Sequence, residues 1–71
     1  MMEKRAPKIV SHIREHRERL GLTQEDLARA AGCTLGTVGS LERGESAPTL
    51  FVAVRIADAL GMDVRDLFQS R

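Results

Sequence analysis

Two histidines, His12 and His16, lie four positions apart in the N-terminal part of this sequence. On a helix this spacing places both imidazoles on one face, where together they could hold a metal ion. No E-x-x-H arrangement and no neighbouring cysteine completes a ligand set around them. Because paired histidines on a charged helix are usually solvated, the sequence predicts no metal site.

The other reactive side chains also lack the partners that catalysis needs. Cys33 is the single cysteine, so it has no resolving thiol for redox sensing and cannot form an internal disulfide. A lone thiol suits a reducing cytoplasm. Glu25 and Asp26 are adjacent carboxylates, but at a helix start they stabilise the helix dipole and do not form an acid/base pair. The sequence therefore predicts no enzyme, no cofactor and no small-molecule ligand.

The most informative stretch, residues 22–43, reads LTQEDLARAAGCTLGTVGSLER and predicts two helices joined by a short turn. Thr23 is a good N-cap, and Asp26 three residues later makes a variant of the capping box. Gly32 ends the first helix, and Thr34 can cap the second. The apolar residues of the second helix recur at intervals of three: Leu35, Val38 and Leu41. A joint this short suits two helices that cross steeply, as in a helix-turn-helix.

Three further helices are expected around this unit. The first is expected to begin near Pro7 and end at about Arg19, the fourth to cover residues 50–60 and the fifth residues 64–68. Their expected inward positions are Ile9, Ile13, Arg17, Leu20, Leu50, Ala53, Val54, Ile56, Ala57, Leu60, Val64, Leu67 and Phe68. The pattern predicts one all-α domain of residues 8–69, preceded by a flexible arm of residues 1–7.

Charge is distributed unevenly, although the net charge is only +1. Residues 1–20 carry six basic and three acidic side chains, or +3, whereas residues 21–43 and 44–71 each sum to −1. A basic N-terminal end fits a polyanionic partner, and equally a solvated helix face. The N-terminus has no apolar run, so we expect no signal peptide and no membrane partner, and a cytoplasmic location.

Four segments stand in order between Ile9 and Phe68: RERLGLTQEDLARAAG, TVGSLERG, APTL and RIADALGMDVRDLF. Together they resemble the phage repressor and Cro type of helix-turn-helix domain, the XRE-like family. The resemblance implies a compact five-helix bundle in which residues 24–43 bind double-stranded DNA and the third helix enters the major groove. It further implies a sequence-specific transcriptional regulator of the repressor type, which binds a palindromic operator as a homodimer.

The resemblance also implies which residues contact DNA. Gln24 matches a glutamine that grips a DNA phosphate, and Arg43 matches a phosphate contact on the far strand. Thr34 and Thr37 match positions whose hydroxyls touch the backbone or a base edge, although Thr34 could equally be only a cap. The full implied set is Thr23, Gln24, Thr34, Leu35, Gly36, Thr37, Ser40 and Arg43. Arg17 and Glu42 match a structural ion pair between the first and third helices.

The third helix departs from the family pattern at the positions that usually read bases. Long polar side chains are common there in the family, whereas this chain has Leu35, Gly36, Gly39 and Ser40. No side chain before Arg43 can make a bidentate contact with a base, so we expect specificity to depend on DNA shape and phosphate placement. Alternatively, the two glycines are simply tolerated on an exposed face.

Phe51 occupies a position that is usually polar and exposed in the family. We expect a hydrophobic dimer interface made of Phe51, Val52, Met62, Leu67 and Phe68. The alternative is that Phe51 folds back over the loop of residues 44–48 as a lid on the core.

Two other functions fit the same scaffold. One is the DNA-binding antitoxin of a toxin–antitoxin pair, which a neighbouring toxin gene would indicate. The other is a protein–protein interaction module that has lost DNA binding, which the weak base-reading chemistry of the third helix favours. Gln24, Arg43 and the basic first helix argue against the second alternative.

Overall fold

The computed structural model describes residues 9–70 of the chain, and the side chains of residues 10–69. The expected N-terminal arm, residues 1–7, and the helix start expected at Pro7 lie outside the described residues. Within this range, no helix is both long enough and apolar enough to cross a membrane.

The five expected helices are present. They are α1 (Ile13–Arg19), α2 (Gln24–Ala31), α3 (Leu35–Glu42), α4 (Leu50–Leu60) and α5 (Val64–Leu67). Their arrangement confirms the mostly helical five-helix fold, and helices α2 to α5 begin directly after the N-cap residues Thr23, Thr34, Thr49 and Asp63.

A short two-stranded sheet joins the two ends of the described chain, and the sequence did not indicate it. Strand β1 (Ile9–Ser11) pairs antiparallel with β2 (Phe68–Ser70), with Val10 opposite Gln69. The expectations that residues 9–11 belong to the first helix and Phe68 to the fifth are therefore wrong. Three-residue strands are too short to show period-two alternation, and their pairing is non-local, so no local pattern indicates them.

Local hydrogen bonds fix both ends of α2, including its turn into α3. Thr23 accepts a hydrogen bond from the backbone N–H of Asp26 at 3.0 Å, while Asp26 accepts one from the N–H of Thr23 at 2.9 Å. At the other end of α2, Gly32 has φ of +69°, and the N–H of Cys33 donates to the carbonyl of Ala28 at 3.0 Å. Only glycine adopts this left-handed conformation without strain, so the chain turns sharply here into α3.

Aliphatic side chains from all five helices fill the core. The largest fully buried side chains are Ile13, Leu27, Val38, Leu41, Ile56 and Leu67. Burying each such side chain contributes about 1.5–3 kcal/mol, so a core of this size supports a small domain. Helix α2 packs against both α3 and α4, and its small residues Ala28 and Ala31 are buried where the helices approach.

Three side chains that were expected to face inward are exposed instead. Leu20 follows the last residue of α1 and is 53% exposed, while Leu50 and Val54 on α4 are 75% and 41% exposed. The buried residues of α4 form a narrow stripe: Ala53, Ile56, Ala57 and Leu60. Because successive helical residues are separated by about 100°, Val54 falls on the flank of this stripe, whereas Leu50 lies at its N-terminal end, in the first turn of α4.

Candidate nucleic-acid interface

The start of α3 presents two hydroxyls at an exposed helix end. Thr34 is the N-cap, and its Oγ1 accepts a hydrogen bond from the N–H of Thr37 at 3.1 Å. The two hydroxyls also lie 2.9 Å apart and share a hydrogen bond. Because one hydroxyl donates to the other, the second keeps its proton for an outside acceptor. Thr34 is thus a cap, and the pair can still donate to DNA.

The exposed front of α3 is formed by the next two residues. Leu35 is 48% exposed, and a Cβ added to Gly36 would meet no heavy atom closer than 3.9 Å, at Thr34 Oγ1. The backbone of α3 is therefore uncovered at Gly36. An apolar side chain beside a bare helix turn can approach the thymine methyl groups in a major groove.

Ser40 and Gly39 occupy positions that usually read bases in the family, but here neither residue lies on an open face. Ser40 is half-buried, and its Oγ shares a hydrogen bond with Ser46 Oγ at 2.9 Å in the loop after α3. Gly39 is buried, and a Cβ added there would lie 3.1 Å from Nη1 of Arg43. The interpretation of both glycines as residues tolerated on an exposed face is therefore wrong for Gly39 and fits only Gly36.

Arg43 caps the C-terminal end of α3 and is held by an exposed carboxylate. Its Nη2 donates to Glu45 Oε1 at 3.0 Å, and its Nε lies 2.9 Å from Glu45 Oε2. This hydrogen-bonded ion pair raises the pKa of Arg43 and lowers the pKa of Glu45. The Arg43 side chain remains 60% exposed, so its guanidinium is accessible to a phosphate.

The expected ion pair between α1 and α3 is confirmed. Arg17 Nε donates to Glu42 Oε2 at 2.6 Å and Nη2 donates to Glu42 Oε1 at 3.2 Å, while Nη1 donates to the Leu22 carbonyl at 2.8 Å. Burial alone would raise the pKa of Glu42, but the hydrogen bonds from Arg17 and Gln24 outweigh it, and the net shift is downward. The pair ties α1 to α3, and the bond to Leu22 holds the loop before α2.

Gln24 joins the same network. Its Nε2 donates to Glu42 Oε1 at 3.0 Å, which holds the amide against the end of α3. Beside it lies a cleft of about 300 Å³, called here the arginine cleft, lined by Arg14, Arg17, Gln24, Glu42 and Arg43. Three arginines and one glutamate give this lining a net charge of +2. A concave, positively charged surface of this kind attracts anions.

The residues expected to form a dimer interface do not all reach the surface. Phe51 is 75% exposed, which contradicts the alternative that it is a lid on the core. Val52, Met62 and Phe68 are half-buried and pack against the core. Leu67 has no exposed surface, so its side chain cannot belong to a surface patch, because α5 turns it into the core. The large apolar side chains exposed on α4 are instead Leu50, Phe51 and Val54, which are called here the α4 patch.

The reactive side chains are held in structural contacts. His12 Nδ1 lies 3.2 Å from Glu15 Oε1, and its Nε2 lies 3.1 Å from Gln69 Oε1. Among the described residues, no group of three histidine, cysteine or acidic side chains is arranged to hold a metal ion. Cys33 packs against the core, and its burial raises the pKa of the thiol more than the Arg55 charge lowers it. A raised pKa makes the thiol less nucleophilic.

The sequence matches a described protein family over most of its length. The family is HTH_3, Helix-turn-helix, and the match covers residues 13–67. The chain is 53% identical over 57 residues to an uncharacterized HTH-type transcriptional regulator of Methanothermobacter thermautotrophicus, covering 79% of this chain and 83% of that one. It is 38% identical over 56 residues to the uncharacterized HTH-type transcriptional regulator YgzD of Bacillus subtilis, covering 79% and 85%.

Solved structures show the same fold. The restriction-modification controller protein C.AhdI from Aeromonas hydrophila superposes with a TM-score of 0.72 at 37% identity, covering 76% of this chain and 82% of that one. The clp gene regulator ClgR from Corynebacterium glutamicum superposes with a TM-score of 0.71 at 31% identity, covering 76% and 57%.

Proposed function

Because this chain belongs to the XRE-like helix-turn-helix family of DNA-binding transcriptional regulators, we propose that it binds a palindromic operator as a homodimer and acts as a repressor. Helix α3 enters the major groove, and α2 lies across the DNA backbone, as in other helix-turn-helix proteins. The activity is binding and not catalysis. The location proposed for the protein is the cytoplasm.

The chemistry at the two ends of α3 carries this proposal. Its first turn presents the Thr34 and Thr37 hydroxyls, and its last residue is followed by the accessible guanidinium of Arg43. Hydroxyl and guanidinium donors at opposite ends of one exposed helix suit phosphate oxygens on the two sides of a groove. Gln24 lies at the start of α2 beside Arg43, on the same cleft.

Base recognition in this proposal is weak on the helix itself. Leu35 contacts thymine methyl groups, and the bare backbone at Gly36 allows α3 to approach the groove floor closely. Ser40 contributes little, because its hydroxyl is shared with Ser46. Selectivity then depends on how easily the operator deforms, and flexible pyrimidine–purine steps such as TA and CA are favoured where the protein makes no base contact.

The homodimer is supported by the α4 patch. Leu50 and Phe51 are both 75% exposed and lie next to each other at the start of α4, with Val54 one turn further on. Neighbouring large apolar side chains exposed on a small domain commonly mark an interaction surface. A two-fold dimer through this patch that binds a palindromic operator must hold its two α3 helices on half-sites about one DNA turn apart, ~34 Å.

Selection of bound sequences from random duplex DNA, with the full chain, tests the proposal. We expect enrichment of an inverted repeat whose half-sites are about one helical turn apart, with few invariant bases in each. An enriched site without two-fold symmetry would contradict the homodimer. No enrichment and no salt-dependent binding would favour the protein–protein interaction module instead.

A further inference from the structure

The floor of the arginine cleft is electrically neutral. Both carboxylate oxygens of Glu42 accept hydrogen bonds from Arg17, and one also accepts a bond from Gln24. The remaining terminal nitrogen of Arg17 donates to the Leu22 carbonyl. The two side chains are only 10% and 4% exposed. Arg17 and Glu42 therefore neutralise each other, and the net charge of the cleft comes from its rim.

The rim consists of two exposed arginines from different helices. Arg14 on α1 is 72% exposed and Arg43 after α3 is 60% exposed, and both line the cleft. Each is paired with an exposed carboxylate that does not line the cleft: Arg14 Nε donates to Glu18 Oε2 at 3.2 Å, and Arg43 is held by Glu45. Exposed ion pairs stabilise a fold little, because water solvates both partners, so a phosphate can replace either carboxylate at low cost.

Gly39 makes room for the second of these arginines. The Nη1 atom of Arg43 lies 3.1 Å from the position that a Cβ of Gly39 would occupy. A side chain at this position would crowd the guanidinium, since this distance is shorter than ordinary van der Waals contact. The glycine thus lets Arg43 fold back along α3.

We infer that Arg14 and Arg43 together bind one backbone phosphodiester of DNA across the mouth of the arginine cleft, and that Glu18 and Glu45 take its place in the free protein. The planar guanidinium presents paired N–H donors that match two phosphate oxygens, as it does here with carboxylates. This inference rests on the proposed function. It adds Arg14 to the DNA-binding residues, a residue that the sequence did not single out.

Fluorescence anisotropy with a labelled duplex of mixed sequence, measured over a salt series, tests the role of Arg14. We expect Arg14→Gln to weaken binding by about tenfold and to reduce the slope of log K against log salt by about one. The matched control is Arg65→Gln, which removes the same charge from a side chain that is 91% exposed on α5. Equal affinities and slopes for the two variants would overturn the inference.

A second variant separates phosphate binding from a structural role of the Arg14–Glu18 pair. Glu18→Gln breaks the same pair and keeps Arg14, so it should strengthen binding by about two- to threefold, and should have no effect once Arg14 is also replaced. If the pair only stabilised α1, Glu18→Gln would weaken binding as Arg14→Gln does. Thermal melting by circular dichroism confirms that each variant is folded.

A cycle with Arg43→Gln tests whether the two arginines share one phosphate. Sharing predicts that the double variant loses less affinity than the product of the two single losses, because either replacement already weakens the same contact. Independent losses would show that Arg14 and Arg43 do not share a phosphate and would overturn that part of the inference. If the unmodified chain bound no duplex at all, the proposed function itself would be contradicted. This outcome differs from equal binding by Arg14→Gln and Arg65→Gln, which would contradict only the role of Arg14.

Discussion

At the residue scale, Arg43 is the side chain whose replacement should weaken binding to every DNA sequence. It is charged, exposed and located at the end of the proposed recognition helix. We predict that Arg43→Ala weakens binding to the operator and to random duplexes by a similar factor, about tenfold, because a phosphate contact carries no base information. Anisotropy titrations at several salt concentrations measure this. Binding that did not depend on salt would contradict the phosphate-dominated interface.

Glu42 is a largely buried residue of the arginine cleft, and its contribution can be measured as the free energy of unfolding. The Glu42→Gln variant removes the hydrogen-bonded charge partner of Arg17 at a site where both side chains are largely buried, and leaves only the Glu18 carboxylate, 3.9 Å from Nη2 of Arg17. We predict a loss of about 3 kcal/mol in the free energy of unfolding at neutral pH, measured by urea denaturation. Asp58→Asn, at an exposed position on α4, is the control and should change it little.

The same residue makes the fold sensitive to acid. Although burial opposes ionisation, the hydrogen bonds from Arg17 and Gln24 leave the pKa of Glu42 below its ordinary value in the folded state. Its contribution to stability is therefore complete above the ordinary carboxylate pKa, about 4.3, and is lost as the pH falls through the lower folded pKa. Glu42→Gln should flatten this part of the stability profile. An unchanged acid limb would show that other carboxylates, such as Asp26, dominate it.

At the scale of elements, α3 has a low intrinsic helix stability because it contains two glycines, Gly36 and Gly39. Gly36 lies in its first turn with open space around it, so a side chain can be added without a clash. We predict that Gly36→Gln stabilises the domain by about 1 kcal/mol, since glycine is a poor helix former, and changes the base preferred at one position of each half-site.

The matched control for this prediction is Gly36→Ala. It should give a similar gain in stability, measured by thermal melting, without the amide that can bond an adenine edge. Selection from random DNA compares the two variants with the unmodified chain. The same base preference in all three would mean that Gly36 does not face the groove.

At the scale of the whole molecule, the α4 patch connects the domain to its proposed second copy. Phe51 is 75% exposed, so a charge there should not disturb the core. We predict that Phe51→Glu gives a folded monomer by analytical sedimentation, with an unchanged melting temperature at low concentration and weakened operator binding.

Leu20→Glu is the control for this experiment, because Leu20 is also exposed, at 53%, and follows α1 instead of lying on α4. It should leave the association state unchanged. A dimer that survived Phe51→Glu would place the interface elsewhere on the domain.

The local signals of the sequence were sufficient to locate the starts of α2 to α5, but not the start of α1 or the end of α5. Thr23, Thr34 and Thr49 cap α2, α3 and α4, and Gly32 ends α2, because a cap bonds backbone groups two or three residues away and a left-handed glycine needs no distant partner. The buried residues of α2 followed from helical spacing for the same reason, as did Val38 and Leu41 of α3. Leu35, at the same spacing, is exposed. The Arg17–Glu42 pair was expected from the family resemblance, and Arg43 is exposed at the end of α3.

Only the tertiary structure decided the features that depend on long-range contacts. The pairing of β1 with β2 joins residues from opposite ends of the described chain, and the exposure of Leu50 and the burial of Leu67 depend on which neighbouring helix covers each face. Arg14 and Arg43 line one cleft only because α1 packs against α3, and the burial of Gly39 depends on how the Arg43 side chain folds back. Spacing within a helix determines which face a residue occupies, but the packing of the other helices determines whether that face is buried, exposed or charged.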